Sequence, residues 1–168
     1  AYDKMLGVDP ANFGAVDALI EVHRRTDNFG DLVSAVVRKA EMIDAPEDQK
    51  KLLLYAATIR ESVMEDAEGA IALYQQVLTI DDADRTALDA LVKLYIQLER
   101  WEPLKDVYQR LSELATDPDE RRQALYVLGQ VYDSELGDVT RAIDTYQAVL
   151  DLDPSDAQAI SALDRLYG

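Results

Sequence analysis

The chain has 168 residues, 48% of them apolar, which is enough for one ordinary domain with a sizeable core and argues against disorder. Its net charge of −16 repels nucleic acid and anionic lipid surfaces, so neither is expected as a partner. Cysteine is absent, which excludes disulfides, a thiol nucleophile and cysteine-ligated metals, and no apolar run approaches the ~20 residues that span a bilayer.

Apolar residues recur at helical spacing along the whole chain and predict an all-α protein. Residues 1–10 are predicted to be the tail of a preceding helical hairpin. The helices that follow are predicted over residues 11–26, 29–44, 46–63, 66–80, 83–98, 101–115, 118–136, 138–151 and 155–167.

Local chemistry supports the predicted breaks between helices. Asp117 is a predicted N-cap because Pro118 follows it at the first helical position. Ser155 and Gln158 have the spacing of a capping box, which predicts Ser155 as the cap of the last helix. Gly137 is predicted to end the preceding helix in the left-handed conformation.

The chain is an internal duplication with a period of 72 residues. Residues 17–19 and 89–91 both read Asp-Ala-Leu, and Pro46 falls on Pro118 without a gap. Residues 74–78 and 146–150 share Tyr-Gln-x-Val-Leu. Each 72-residue block contains two predicted helical hairpins, so the pattern indicates a tandem array of hairpins.

Residues 117–156 carry the motif that indicates which type of helical hairpin is repeated. The tetratricopeptide signature is W-x₂-L-G-x₂-Y, then A-x₃-F, then P, over about 34 residues. The matching positions here are Leu125 in place of Trp, Leu128-Gly129, Tyr132, Ala142, Tyr146 and Pro154, with one extra residue near the turn at Leu136-Gly137. This segment resembles a tetratricopeptide repeat, and the rest of the chain resembles variations on it.

The resemblance implies a right-handed α-solenoid of antiparallel helix hairpins, a TPR-like superhelix. We expect residues 1–168 to form a single repeat domain with hairpins over 11–45, 46–82, 83–117 and 118–154 and a terminal helix over 155–168. The apolar residues of the terminal helix lead us to expect a fragment of a longer array or end-to-end self-association. The long ungapped period resembles that of large bacterial repeat proteins.

In tetratricopeptide arrays the first helices of the hairpins line a concave groove in which partner peptides lie. By this resemblance the candidate peptide-groove residues are Asp17, Glu21, Arg24, Leu54, Thr58, Glu61, Asp89, Lys93, Ile96, Tyr126, Gln130, Asp133 and Arg165.

Chaperone-binding members of the family hold a peptide carboxylate with a Lys/Asn clamp on these helices. Asp17, Glu21, Asp89 and Lys93 occupy the corresponding positions, so the clamp is not reproduced. We therefore expect a neutral or basic peptide, or an amphipathic helix, as the guest; the alternative is a groove that is simply solvated.

No residue constellation predicts catalysis, so we expect no enzyme, no cofactor and no metal site. His23 aligns with Tyr95 and Tyr167 and is expected to pack in the core, as are those tyrosines together with Tyr74 and Tyr146. The acidic clusters at the helix junctions are expected to cap helices, because none has the order of an EF-hand.

Three functional hypotheses follow. The first is a protein–protein interaction scaffold; the second is a peptide-sensing regulatory module of a larger protein. The third is an architectural or self-assembly spacer. The composition fits the cytoplasm, where we expect the protein, and is also compatible with the periplasm.

Overall fold

The computed structural model describes residues 12–168, and within this range every regular element is helical. The predicted hairpin tail at residues 1–10 lies outside the described residues. The helices are α1 Phe13–Arg25, α2 Phe29–Glu41, α3 Pro46–Ser62, α4 Ala67–Ile80, α5 Arg85–Gln97, α6 Trp101–Leu114, α7 Pro118–Gln130, α8 Val139–Leu152 and α9 Ala157–Tyr167.

Acidic side chains begin several of these helices. Oδ2 of Asp117 accepts from the amide of Glu120 at 3.1 Å, and Pro118 opens α7, as predicted. The cap of α9 differs from the prediction: Asp156, and not Ser155, accepts from the first free amides. The Ser155 hydroxyl donates instead to Asp153 at 2.7 Å. Asp156 caps α9 in preference to Ser155 because a carboxylate has two strong acceptor oxygens and is attracted to the positive end of the helix dipole.

In the described part of the chain, the turn inside each hairpin contains one residue with a positive φ angle. Gly137 adopts φ 66°, which confirms its predicted left-handed helix end. The other three turns use Asp27, Glu65 and Glu99, at φ 51°, 53° and 52°. The sequence does not predict these three, since glycine and not glutamate is the usual signal for this conformation.

The last turn of the helix before Gly137 is π-helical, over Val131–Glu135. The amide of Leu136 reaches the carbonyl of Val131 at 3.0 Å, and the amide of Asp138 reaches that of Tyr132 at 2.8 Å. This wider turn lies beside the extra residue that the sequence shows near the turn.

The chain forms two compact units, residues 1–87 and 88–168. In the described part of the first unit, α1 packs on α2, α2 on α3 and α3 on α4. This order is that of successive helical hairpins. Its fully buried large side chains include Val16, Leu32, Val33, Val36 and Val77.

In the second unit α6 packs on α7, α7 on α8, and α8 on α9. The core is built around Tyr146, which is 1% exposed, and Ala142, which is fully buried. Gly129 lies against the Tyr146 ring so closely that a Cβ atom there would come within 2.6 Å of Cε1. The small residues Gly129 and Ala142 therefore allow α7 and α8 to approach one another.

Two of the expected core residues are only partly or hardly buried. Tyr74, Tyr95 and Tyr146 are buried, as predicted, but Tyr167 is 63% exposed. The prediction failed for Tyr167 because no helix of the described chain covers that side of α9. The side chain of His23 is 18% exposed, and its Nδ1 lies 4.0 Å from Oδ2 of Asp31.

Candidate functional site

The predicted groove residues of α1 pair with neighbouring charges. Oδ1 of Asp17 lies 2.7 Å from Nζ of Lys39. Glu21 accepts from Nε of Arg25 at 2.6 Å and from Arg24. The hydrogen bonds from Arg25 and then Arg24 hold the pKa of Glu21 below its ordinary value. The acidic groups of this helix are thus matched by cations beside them.

The predicted groove residues of α3 are also tied to the hairpin. The Thr58 hydroxyl donates to the carbonyl of Leu54 at 2.9 Å. Oε2 of Glu61 accepts from the Tyr74 hydroxyl at 2.8 Å. Burial, together with this hydrogen bond, raises the pKa of Tyr74 to about 12. Glu61 therefore links the two helices of its hairpin.

On α5 the predicted groove residues lie at the surface. Ile96 is 47% exposed, and Asp89 and Lys93 are exposed as well. The pKa of Tyr108 is raised by burial and, to a smaller degree, by the charge of Asp89. An exposed isoleucine beside charged residues offers an apolar contact to a guest.

Four predicted residues meet around one cavity in the second unit. Tyr126, Gln130, Asp133 and Arg165 line a cavity of 380 Å³ between α7, its π-helical turn, α8 and α9. The other lining residues are Ser134, Tyr146, Ala157, Gln158, Ser161 and Ala162.

An ion pair forms one edge of this cavity. Nη2 of Arg165 donates to Oδ2 of Asp133, and this hydrogen bond raises the pKa of Arg165 above its ordinary value. The side chain of Asp133 is 8% exposed, whereas that of Arg165 is 61% exposed. Asp133 therefore orients the guanidinium, and the guanidinium is the charged group that meets solvent.

Two tyrosines form the aromatic part of the lining. The ring centroids of Tyr126 and Tyr146 are 5.8 Å apart, with the ring planes at 49°. Nε2 of Gln130 lies 3.4 Å from the Tyr126 hydroxyl, to which it donates. Burial raises the pKa of Tyr146 to about 12, so its hydroxyl stays protonated at neutral pH. The lining thus offers aromatic surface together with amide and hydroxyl groups, which suit the backbone of a bound peptide.

Sequence reasoning missed Ser134, Gln158 and Ser161 as lining residues. For two of them the spacing carried the signal: Ser134 follows Gln130 by four positions, and Ser161 precedes Arg165 by four. Residues four apart share one face of a helix. The predicted groove residues therefore identify the helix faces that line the cavity, and their neighbours on the same faces supply further lining residues.

Among residues 12–168 no group of three or more His, Cys, Asp or Glu side chains has an arrangement that would hold a metal ion. In the same range no helix combines the length and the apolar character needed to cross a membrane. Acidic residues at the helix junctions cap helices: Asp66, for example, accepts from the amide of Gly69 at 2.9 Å.

Helical hairpins packed in sequence, with exposed residues on their first helices, define a repeat protein of the interaction-scaffold class. Two models of the tetratricopeptide repeat match the chain, one over residues 87–122 and one over residues 123–156. Residues 87–156 thus carry two tetratricopeptide repeats, and the predicted all-α fold of this type is confirmed. Proteins with this repeat serve in general as protein-interaction scaffolds.

Solved structures of MamA show the same fold. A crystal structure of MamA protein is 20% identical over 90% of this chain and 79% of that chain, with a TM-score of 0.50. A second MamA crystal structure is 21% identical over 89% of this chain and 82% of that chain, with a TM-score of 0.51. YrrB, described as a TPR protein with an unusual peptide-binding site, is 16% identical over 96% of this chain and 79% of that chain, with a TM-score of 0.48. No curated protein sequence matches the chain.

Proposed function

We propose that the chain is a scaffold that binds a peptide or helix of a partner protein on the face formed by the first helices of its hairpins. The observation that carries this proposal is the 380 Å³ cavity between α7, α8 and α9. Tyr126, Gln130 and Arg165, which the family resemblance assigns to the groove, line this cavity together. A concave site with aromatic surface and a few polar groups has the composition of a peptide-binding site.

The charge of the chain favours a neutral or basic guest. The net charge of −16 attracts cations over a distance and slows the approach of acidic segments. Inside the cavity the carboxylate of Asp133 is already paired with Arg165. Contacts at the cavity itself therefore favour uncharged groups of the peptide, while the surrounding field selects against an acidic one.

The test is a selection of random displayed peptides on the full chain, followed by affinity measurement on variants. Ser161→Trp fills the cavity from an exposed position, and Tyr126→Ala removes its aromatic side. Each is expected to weaken the selected peptides at least about tenfold. Thr140→Trp is the matched control, because Thr140 is exposed on α8 and does not line the cavity.

The proposal fails if the selected peptides bind Ser161→Trp and Thr140→Trp equally well. The charge preference fails separately, if the selected pool is rich in Asp and Glu. Raising the salt concentration is expected to weaken a basic peptide, because the long-range part of its attraction is screened.

One observation favours the third hypothesis, a self-assembly spacer. On α9, Ile160 is 40% exposed and Tyr167 is 63% exposed. Exposed apolar side chains on a repeat helix are suited to contact with another helix. Sedimentation at increasing concentration tests this function: self-association that Tyr167→Asp abolishes supports it, and a monomer at every concentration contradicts it.

A further inference from the structure

A buried tyrosine hydroxyl at the wall of the cavity between α7, α8 and α9 has no hydrogen-bond partner. Tyr146 lines this cavity, and only 1% of the residue is exposed. Within residues 12–168 its hydroxyl forms no hydrogen bond. Buried polar groups in folded proteins nearly always have a hydrogen-bond partner. A buried donor without one, at the wall of a cavity, therefore indicates a ligand group that accepts a hydrogen bond from it.

The surroundings of Tyr146 show that its hydroxyl faces this cavity. Its pKa is raised to about 12 by burial and, to a smaller degree, by the charges of Asp133 and Tyr126. Both of these residues line the cavity. Gly129 lies against Cδ1 and Cε1 of the Tyr146 ring. The packing therefore fixes the ring and holds its hydroxyl at the cavity wall.

The internal duplication shows how the first copy satisfies the equivalent hydroxyl. Tyr74 and Glu61 lie 72 residues before Tyr146 and Asp133. The Tyr74 hydroxyl donates to Oε2 of Glu61 at 2.8 Å. In the second copy the acid is shorter by one methylene group, and it pairs with Arg165. The second copy thus keeps the tyrosine and lacks the acceptor that serves it in the first copy.

The charges beside the Tyr146 hydroxyl limit which groups can accept a hydrogen bond from it. A carboxylate is disfavoured, because it would lie beside the carboxylate of Asp133, and the guanidinium of Arg165 is already paired with that group. Lysine and arginine side chains have no acceptor atom. The group that binds here is therefore a neutral acceptor.

Asp133 can in turn accept a hydrogen bond from the same ligand group. Its Oδ2 accepts from Nη2 of Arg165, whereas its Oδ1 lies 3.5 Å from Nη1, which is long for a hydrogen bond. A primary amide suits both groups, because its carbonyl accepts from Tyr146 and its NH2 group donates to Oδ1 of Asp133. Tyr146 is buried, whereas Ser161 and Gln158 are exposed, so a side chain reaches the hydroxyl more readily than a peptide backbone does.

We propose that the cavity between α7, α8 and α9 binds the side-chain amide of an asparagine or glutamine of the guest peptide, and that the Tyr146 hydroxyl is the donor that selects it. This inference rests on the proposed function, because it assigns one side chain of the guest to the same cavity. It also makes Tyr146 a specificity-determining residue, which the family resemblance does not assign to the groove.

Two single substitutions test the assignment. Tyr146→Phe removes the hydroxyl and keeps the ring. Asp133→Glu keeps the charge and gives the acid the length that it has in the first copy, so the new carboxylate should accept from Tyr146 and compete with the guest. Tyr74→Phe is the matched control, because it removes the equivalent hydroxyl and Tyr74 does not line the cavity. Circular dichroism verifies that each variant is folded.

Random displayed peptides are selected on the full chain, and the pools that Ser161→Trp no longer binds are kept. We expect these pools to share Asn or Gln at one position and to bind Tyr146→Phe and Asp133→Glu about tenfold more weakly. Tyr74→Phe should bind them unchanged. Replacing the peptide's Asn by Leu, or its Gln by Met, should weaken binding to the unchanged chain and have little effect on binding to Tyr146→Phe.

The outcomes separate this inference from the proposed function. A pool that depends on Ser161 but binds Tyr146→Phe as tightly as the unchanged chain overturns the inference and leaves the proposed function standing. The same holds for a pool that carries Asp, Glu, Lys or Arg in place of the amide. If no pool depends on Ser161, the proposed function fails and the inference fails with it.

Urea unfolding without peptide distinguishes a role in binding from a role in folding. Since the Tyr146 hydroxyl has no partner in the free chain, Tyr146→Phe should be at least as stable as the unchanged chain at neutral pH. Tyr74→Phe should be less stable, because it loses the hydrogen bond to Glu61. A loss of stability in Tyr146→Phe as large as that in Tyr74→Phe would show that the fold already satisfies the hydroxyl, and would overturn the inference.

Discussion

Nη1 of Arg122 on α7 donates a hydrogen bond to Oδ2 of Asp156, the N-cap of α9, which lies 34 residues further along the chain. The duplicated position makes the same connection, because Nζ of Lys50 on α3 lies 3.2 Å from Oδ2 of Asp84. In both copies a cation on the first helix of one hairpin holds an acidic residue just before the first helix of the next hairpin. The pair therefore joins neighbouring repeats in addition to capping a helix.

Asp156→Ala is expected to lower the free energy of unfolding by about 1–2 kcal/mol, the usual effect of losing an N-cap. Oδ1 of Asp156 accepts from the amides of Gln158 and Ala159 at 3.0 and 2.9 Å, and both amides lose this acceptor. Urea unfolding of the full chain measures the change. Ser155→Ala is the control, since its hydroxyl donates to Asp153 and does not cap α9. A larger loss for Ser155→Ala than for Asp156→Ala would show that the cap has been assigned wrongly.

Gly129→Ala is expected to destabilise the protein by about 1–3 kcal/mol, because the new methyl group would overlap the Tyr146 ring. Gly30→Ala is the matched control. A Cβ atom at Gly30 meets nothing within 4 Å, so the change should be neutral or stabilising by up to about 1 kcal/mol. Thermal and urea unfolding of both variants test the pair, and equal effects of the two changes would contradict the close approach of α7 and α8.

At the turn residues with a positive φ angle, replacing glycine by alanine and replacing glutamate by glycine should change the stability in opposite directions. Gly137→Ala should cost about 1 kcal/mol, because alanine is strained at φ 66°. Glu65→Gly relieves similar strain at φ 53° but loosens the unfolded chain, so a gain below about 1 kcal/mol is expected. Both are measured by urea unfolding, and a stabilising Gly137→Ala would refute the assigned conformation.

Buried tyrosines predict a loss of stability in alkali. The pKa values of Tyr74 and Tyr146 are raised to about 12 from an ordinary 10.0, and burial is the main cause in each case. Since the folded state disfavours the phenolate, this stabilisation is complete below pH 10 and is lost as the pH rises towards about 12. Tyr146→Phe should flatten the fall in unfolding free energy over this window and remove one late step from the phenolate absorbance titration. An unchanged titration would mean that Tyr146 ionises normally.

Helix positions follow from the sequence because apolar periodicity and acidic caps are local signals. The sequence predicts α3 over 46–63, and the structure has it as Pro46–Ser62. These signals mispredict the cap where two neighbouring residues could both cap a helix, as Ser155 and Asp156 could for α9. They also fail at Glu65 and Glu99, where the hairpin connection imposes a positive φ angle on residues that rarely adopt it.

The site is predictable only in outline. The family resemblance gives one face of each first helix, and in the second unit Tyr126, Gln130, Asp133 and Arg165 do line one cavity. That these residues bind a peptide stays a prediction. Sequence position does not show that Asp133 is buried under Arg165, because that pairing joins residues 32 apart on different helices.

The connection between Arg122 and Asp156 has a consequence for the motions of the repeat. The amides of Gln158 and Ala159 are shielded by a carboxylate that α7 holds in place. Deuterium replaces these amide protons when Asp156 releases them, and the hydrogen bond from Arg122 opposes that release. The protection factors of the two amides therefore report on the separation of two neighbouring hairpins and not on fraying of α9 alone.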